Sequence, residues 1–220
     1  IAKMLLEERG VRIAAYVRQV GRVLDPEDRD VTAALLSRSN DVRAATPELA
    51  EAMRAEIAAA REEGDSVGGV VQCIADGLPM GLGEPFFDTV EGELAKMMFA
   101  VPGVKGIEFG AGFAAAGMRG SQHNDPFVLV DGKVRTAKND AGGILGGITN
   151  GMPVVLRVAI KPTASIARGQ RSLDLETGEQ TDLRIEGRHD PCIAPRAVPV
   201  VEAAAALVLA DLSVRGGMLD

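Results

Sequence analysis

The sequence is poor in aromatic residues, cysteine and positive charge, and each shortage argues against a class of protein. There is no tryptophan and one tyrosine, and aromatic residues make up 3% of the 220 positions, so the core must consist of Ala, Val, Leu, Ile and Met. The two cysteines, Cys73 and Cys192, lie far apart in unlike surroundings, which argues against a disulfide framework and fits a reducing compartment. The net charge of −7 argues against nucleic acid or an anionic membrane as the main partner.

Long apolar runs and targeting signals are also lacking. No apolar run reaches the ~20 residues that a membrane span needs, and no charged leader precedes a cleavage site. We therefore predict a cytoplasmic protein with no membrane partner. The length and the 46% hydrophobic content suit one large domain or two small ones. The segment from Ile1 to Gly10 is typical of the end of an amphipathic helix, so we expect further chain before Ile1.

The remaining pattern predicts an α+β fold of hairpins and long helices. Val11 to Leu24 is rich in Val, Ile and Tyr, as strands are. Asp25 to Thr46 is polar and aperiodic, so we predict a surface excursion there. Thr46 and Pro47 supply the cap and the first-turn proline of a helix that ends at Gly64.

The chain after Gly64 alternates strands, turns and helices. Asp65 to Gly77 is predicted as a strand in which paired glycines indicate close backbone approach or a bulge, and Cys73 is predicted to be a buried thiol. Asp88 and Glu91 form a capping-box pattern before a helix that runs to about Phe99. The remaining predicted elements are hairpins turning at Asp131-Gly132 and at Thr177-Gly178, a strand ending at Lys161, and a helix from about Val198 to Val214.

Three loops beside strand ends are candidates for binding a ligand: Gly110 to Asp125, Gly142 to Thr149, and Lys161 to Ser165. Glycines let backbone N–H groups approach an anion or a flat ring, and the third loop adds one ammonium and two hydroxyl groups. A phosphorylated cofactor would be satisfied by that set. The alternative, in which the glycines only mark turns, stays open at this point. No dinucleotide fingerprint is found between a strand and a helix, and His123 lacks the neighbours that a metal site needs.

The segment from Glu186 to Asp211 reads EGRHDPCIAPRAVPVVEAAAALVLAD and places charged side chains in a proline-bounded loop before an alanine-rich helix. Pro191 and Pro195 hold the residues before them in extended conformations, which fixes the direction of the polar side chains. Cys192 is predicted to be packed rather than nucleophilic, because no base is paired with it in the sequence.

This segment resembles the C-terminal signature of the chorismate synthase family, in which Arg-x-Asp-Pro-Cys runs into Pro-Arg-Ala and an Ala-rich helix. Gly-Leu-Gly-Glu-Pro before a helix, Val-Lys-Gly-x-Glu-x-Gly after it, and the GGILGGITNG and KPTAS stretches are also similar to that family. The resemblance implies a β-α-β sandwich, with helices packed between antiparallel sheets, and a homotetramer. It implies that residues 1–220 are the C-terminal part of a single domain.

The resemblance also implies a function and a set of site residues. The family is a lyase of the shikimate pathway for aromatic amino acids, and it converts 5-enolpyruvylshikimate 3-phosphate to chorismate by an anti-1,4-elimination of phosphate. Reduced FMN is required, and NADP is associated with the family, with self-reduction of the flavin left open. The implied FMN contacts are Gln122, His123 through its backbone, Gly146, Lys161, Pro162, Thr163, Ala164, Ser165 and Arg188.

Arg188 is also implied to bind the phosphorylated substrate, as Arg196 would with the same fork geometry. Asp190 is implied to handle a proton near the flavin N5, whereas His189 is not expected to be the general acid. Three motifs of the family are absent from the sequence: Gly-Glu-Ser-His-Gly, Arg-Pro-x-His-x-Asp and Arg-x-Ser-x-Arg-Glu-Thr. The alternative function is therefore an incomplete chain that folds, oligomerises and at most binds flavin, and we expect the 220 residues alone to be inactive.

Overall fold

A computed structural model of the protein describes residues 1–219. The helices are α1 (Ala2–Glu8), α2 (Val31–Leu36), α3 (Pro47–Glu62), α4 (Val90–Phe99), α5 (Gly120–His123) and α6 (Ala194–Arg215). The strands are β1 (Arg12–Val20), β2 (Val23–Leu24), β3 (Gly69–Asp76), β4 (Val104–Phe109), β5 (Phe127–Val130), β6 (Lys133–Thr136), β7 (Ile144–Leu145), β8 (Ile148–Thr149), β9 (Val154–Ile160), β10 (Gln170–Leu173) and β11 (Gln180–Leu183). Short 3-10 turns cover Ser37–Ser39 and Gly112–Gly117.

A five-stranded antiparallel sheet in the order β2-β1-β3-β9-β4 forms the centre of the fold. Its two edges are irregular. At one edge β2 is two residues long, and at the other the register of β4 against β9 shifts between Val104 and Gly106. Three separate two-stranded hairpins, β5-β6, β7-β8 and β10-β11, complete the sheets that the structure describes.

One face of the sheet packs against α6, which in turn packs against α1 and α4. The buried side chains of β1, β3 and β9 on this face include Ala15, Cys73 and Leu156, which are paired across the strands. Alanine is frequent along α6, so the backbone of this helix can lie close to the strands. Leu209 and Leu212 of the same helix are buried and contribute larger side chains to the core. This layer contains most of the buried apolar residues.

The opposite face of the sheet has a smaller apolar cluster under α2. Ala14, Tyr16 and Ile74 are buried there against α2 residues Val31 and Ala34. Because side chains alternate along a strand, these residues lie on the face away from α6. Helices therefore cover both faces of the same sheet.

The predicted α+β class with antiparallel sheets is confirmed, as are most helix and turn positions. The side chain of Thr46 accepts a hydrogen bond from the Leu49 N–H at the start of α3, and Gly10 has φ +81° just after α1. The hairpins turn at Asp131 and Gly132 and across Gly178. The last helix begins at Ala194, earlier than the predicted Val198, with Pro195 in its first turn, where a missing N–H is tolerated, and Pro199 inside the helix. Ala194 is therefore helical and not extended as predicted from the following proline.

Two further local predictions are wrong. The N-cap of α4 is Thr89, whose hydroxyl accepts from the Gly92 N–H, and not the predicted Asp88. The third helical position is then Gly92, which has no side chain to complete a capping box. The predicted surface excursion from Asp25 to Thr46 contains α2, which is capped by Asp30 and contributes to the core. Six residues are too few to show helical periodicity in a sequence, whereas two buried contacts with the sheet are enough to order them.

Helix α6 is long and apolar enough to cross a membrane by length and composition. In the structure 61% of its apolar window is buried, because the helix packs against β1, β3, α1 and α4. Its apolar character is thus accounted for by contacts within the protein.

Candidate functional site

The loop after β9 and the loop before α6 meet at one end of the fold. The first contains Lys161 to Ser165 and follows the strand directly, with the Lys161 N–H donating to the Gly103 carbonyl at 2.9 Å. The second contains Arg188 to Pro191 and leads into α6. The Thr163 hydroxyl donates to the Asp190 carbonyl at 2.9 Å, which joins the two loops directly.

The carboxylate of Asp190 is fixed by two donors from the helix side. One oxygen accepts from the Cys192 N–H at 3.3 Å, and the other pairs with Arg196 Nε at 2.8 Å. The side chain of Asp190 is 25% exposed, whereas that of Arg196 is 81% exposed, so solvent screens the pair and it serves orientation more than stability. Arg196 was also predicted to bind phosphate. Its guanidinium has fewer N–H groups for that purpose, because Nε is already paired with Asp190.

A small cavity of about 150 Å³ lies against this junction. Ser165, His189 and Asp190 line it, together with Ser66 from the loop before β3. Lys161 and Arg188 are exposed nearby in sequence, so their charged groups are open to solvent. The structure therefore brings Thr163, Ser165 and Asp190, which the resemblance implies to serve one ligand, close together.

The other predicted residues form a second group. Gln122 and His123 lie in α5, and His123 lines a cavity of about 380 Å³ together with Leu145, the residue before Gly146. Gly146 lies in the turn between β7 and β8 with φ +61°, a conformation that favours glycine. His123 lines a different cavity from Ser165 and Asp190, and Gln122 and Gly146 are each next in sequence to a residue that lines it, so the chain presents the predicted flavin contacts on two separate surfaces.

Sequence reasoning missed the residue that organises this second surface. The buried carboxylate of Asp125 accepts from the Asp140 N–H at 3.0 Å and the Ala141 N–H at 2.9 Å. Lys138 adds bonds to the Gln122 carbonyl and to the Asp140 carboxylate. The candidate loop from Gly110 to Asp125 is therefore held in place at its end, and it contains a 3-10 turn and α5. The one sign of this role in the sequence was that Asp125 is a polar residue at the end of a glycine-rich segment.

Both cysteines behave as packed side chains. Cys73 is fully buried, and burial, followed by the nearby charge of Glu202, raises the pKa of its thiol to about 12. Burial likewise raises the pKa of the Cys192 thiol. Since the thiolate is the reactive form, the prediction of two unreactive cysteines agrees with the structure.

A cavity of about 540 Å³ lies on the sheet face away from α6. Gly110, Ala111 and Ala114 of the first candidate loop line it, but none of the implied flavin contacts does. A row of polar side chains crosses the strands there. Arg18 donates to the Gln72 amide oxygen at 2.6 Å, and Arg157, which is paired with Gln72 across the strands, bonds to Glu108. Arg18 also pairs with Asp28 at 2.9 Å. The charged side chains in this row are paired with one another, so we assign the row a structural role and no ligand.

The fold and the junction of two polar loops at the ends of a core strand and a core helix define an α+β protein with a small-molecule site. Comparison with known proteins identifies the family to which the chain belongs. Residues 1–214 match the family model for chorismate synthase. The chain is 49% identical over 221 residues to a chorismate synthase of Dehalococcoides mccartyi, with 100% of this chain and 60% of that protein covered. It is 50% identical over 211 residues to the one of Korarchaeum cryptofilum, with 96% and 58% covered.

A solved crystal structure of chorismate synthase aligns with a TM-score of 0.82 at 30% sequence identity, covering 98% of this chain and 60% of that one. The chain therefore belongs to the chorismate synthase family. It spans about 60% of the length of the curated relatives that it matches.

Proposed function

We propose that this protein acts as a chorismate synthase that uses reduced FMN. The reaction would be the anti-1,4-elimination of phosphate from 5-enolpyruvylshikimate 3-phosphate to give chorismate. The observation that supports this most directly is the junction between Thr163 and Asp190, which joins the predicted flavin loop to the predicted proton-handling loop in a chain of this family.

The chemistry of the donors fits one end of the cofactor. The Lys161 ammonium, the Ser165 hydroxyl and the Arg188 guanidinium would hold a phosphate or the oxygens of a flavin, because all of them donate hydrogen bonds. The Thr163 hydroxyl proton is already donated to the Asp190 carbonyl, so Thr163 would hold the two loops together instead. The cavity beside them holds about 150 Å³, below the roughly 300 to 1,000 Å³ of typical ligand sites. This surface would thus form one wall of the site.

The proposed mechanism assigns a task to each of two side chains. The elimination breaks a C–O bond to phosphate and a C–H bond, and the electrons of the C–H bond complete the new diene. Arg188 would bind the leaving phosphate through its planar fork. Asp190 would hold the proton that moves at the site. Its carboxylate is oriented by bonds from the Cys192 N–H and from Arg196. Reduced FMN, when bound, supplies an electron-rich ring, and the reaction causes no net redox change.

Two properties of the whole assembly are part of the same proposal. We propose a homotetramer, which the family resemblance implies, and a cytoplasmic location, which was predicted from the composition. The β5-β6 hairpin supports association, because Phe127 is 58% and Leu129 is 73% exposed on a two-stranded ribbon, and such ribbons are marginal in water. Light scattering of the purified protein measures the assembly directly.

Flavin binding tests the site without requiring turnover. We expect Lys161→Ala to raise the dissociation constant for FMN roughly 10-fold or more, since a charge-assisted hydrogen bond contributes about 1.5 to 3 kcal/mol. Titration followed by flavin fluorescence measures it. Lys133→Ala, in the exposed hairpin strand β6, is the matched control and should leave the affinity unchanged. Equal affinities in the two variants would remove Lys161 from the site.

Turnover tests Asp190. In the active protein, Asp190→Asn should retain FMN binding and lower the rate by roughly 100- to 10,000-fold, because the amide keeps the shape and loses the proton acceptor. Near-normal turnover would contradict its role.

The second candidate is an incomplete chain that folds and at most binds flavin, and the 60% coverage of the relatives favours it. The deciding assay is chorismate formation under anaerobic conditions with excess reduced FMN. The chain is assayed alone and with the portion of the Dehalococcoides mccartyi protein that it does not match. Activity only in the mixture would assign the missing groups to that portion, whereas activity of the chain alone would exclude the second candidate.

A further inference from the structure

The paired glycines of the segment Asp65–Gly69 lie between the two loops of the candidate site. We name this segment the spacer. Its Ser66 hydroxyl donates to the Thr163 carbonyl at 2.6 Å, and its Val67 N–H donates to the Pro191 carbonyl at 2.7 Å. One residue of the spacer thus bonds to each loop, and the loops are bonded to each other through Thr163 and Asp190.

The glycines allow this close approach. A Cβ atom added to Gly68 would lie 2.7 Å from the Ile160 carbonyl oxygen and 3.1 Å from Pro162 Cδ, at the start of the first loop. A Cβ atom added to Gly69 would lie 2.4 Å from the Gln19 carbonyl oxygen of β1 and 2.8 Å from the Cβ of Ala194, the first residue of α6. Real Cβ atoms essentially never lie within 3.0 Å of other heavy atoms, so a larger residue at Gly68 would displace the start of the first loop, and one at Gly69 would displace β1 or the start of α6.

We propose that Ser66 is a positioning residue that sets the distance between the Lys161–Ser165 loop and the Asp190 loop. This inference rests on the proposed function, in which both loops contact one cofactor. The hydroxyl of Ser66 fixes the backbone of Thr163, and the hydroxyl of Thr163 then fixes the backbone of Asp190. A displacement of about 1 Å is enough to impair a site that needs donors at set positions. Ser66 itself need not touch the ligand.

The first test measures the loops without FMN. We expect Ser66→Ala to increase amide hydrogen exchange roughly 2- to 10-fold in both loops, because one net hydrogen bond is worth about 0.5 to 1.5 kcal/mol. Ser39→Ala is the matched control, since Ser39 also donates one hydroxyl bond to a backbone carbonyl, that of Leu36 at 2.8 Å. A change confined to the spacer, with the Asp190 loop unaffected, would overturn the proposal.

The second test measures FMN affinity by fluorescence titration. Ser66→Ala should raise the dissociation constant roughly 3- to 10-fold and lower the thermal midpoint by about 1 to 6 °C, and Ser66→Thr, which keeps the hydroxyl, should restore the affinity. Gly68→Ala should weaken binding in the same way while leaving Ser66 intact. Wild-type affinity in both Ser66→Ala and Gly68→Ala would refute the positioning role. If the wild-type chain bound no FMN, the proposed function would fail, and the exchange measurement would still decide whether Ser66 positions the loops.

Discussion

Replacing Glu202 tests how the layers of the protein are held together. This carboxylate is 10% exposed in the middle of α6, and it accepts from the Ala15 N–H at 2.9 Å and from Lys3 Nζ at 2.8 Å. It also pairs with Arg38 at 2.9 Å. Arg38 lies in the 3-10 turn directly after α2, the helix that covers the other face of the sheet. The N–H of Ala15 points to the outer edge of β1. The short strand β2 pairs with Gln19 and Val20 and does not extend to Ala15, so the Glu202 carboxylate supplies the acceptor that a neighbouring strand would otherwise provide.

The expected cost follows from these partners. Glu202→Ala leaves the Ala15 N–H without an acceptor, which costs about 1 to 3 kcal/mol, and removes the partner of two cations. Breaking a buried ion pair costs about 3 to 5 kcal/mol, but the Lys3 and Arg38 side chains are 24% and 44% exposed and can turn to water. We therefore expect a loss of about 3 kcal/mol for Glu202→Ala. Glu202→Gln should lose about 2 kcal/mol, because its amide oxygen still accepts from Ala15.

Urea unfolding followed by far-UV circular dichroism measures these losses. The matched control is Asp211→Asn on the same helix, because Asp211 is 65% exposed and, among residues 1–219, pairs with its helical neighbour Arg215 alone. We expect a loss below about 0.5 kcal/mol for that control. A loss below about 1 kcal/mol for Glu202→Ala would refute the view that this carboxylate joins α6, α1 and the edge of β1.

Two further predictions concern the buried titratable groups. Native Cys73 and Cys192 should not react with a thiol reagent at about pH 8, because burial raises the pKa of both thiols, and both should react once the chain is unfolded; rapid labelling of the native protein would contradict this. The free energy of unfolding should fall as pH rises through the window from about 9 to about 12. The pKa of Cys73 is raised from 9.0 to about 12 and that of Tyr16 from 10.0 to about 12, both mainly by burial, so the unfolded chain binds fewer protons in that window. Urea unfolding at several pH values checks this, and Cys73→Ala should make the decline shallower, whereas an unchanged decline would exclude Cys73 as its source.

Much of the fold was predictable because short-range chemistry decides it. The Thr46 cap and the Asp131-Gly132 turn depend on residues within four positions of one another, and both were predicted from the sequence. Helix α2 was not, because its order comes from Val31 and Ala34 packing on Tyr16 of a strand outside its own segment. Contacts between distant segments leave no periodic signal in six residues.

The same difference applies to the candidate site. The resemblance implied that Thr163 and Asp190 serve one ligand, and the structure joins them by a hydrogen bond. Ser66 was not predicted, because its partner is a backbone carbonyl 97 residues away and any residue could supply that carbonyl. The paired glycines were noted as a sign of close approach, but the sequence could not show which segments approach them.

The irregular edges of the central sheet affect how the protein behaves when it is concentrated. An intact edge strand offers a row of free N–H and C=O groups that a second molecule can extend, which is the first step of β-aggregation. Here one edge is the two-residue β2, and the other carries the register shift of β4 around Lys105, an exposed and charged residue. Both features block in-register strand addition. Copies of this chain should therefore associate through side-chain surfaces, and the sheet should resist growth into fibrils.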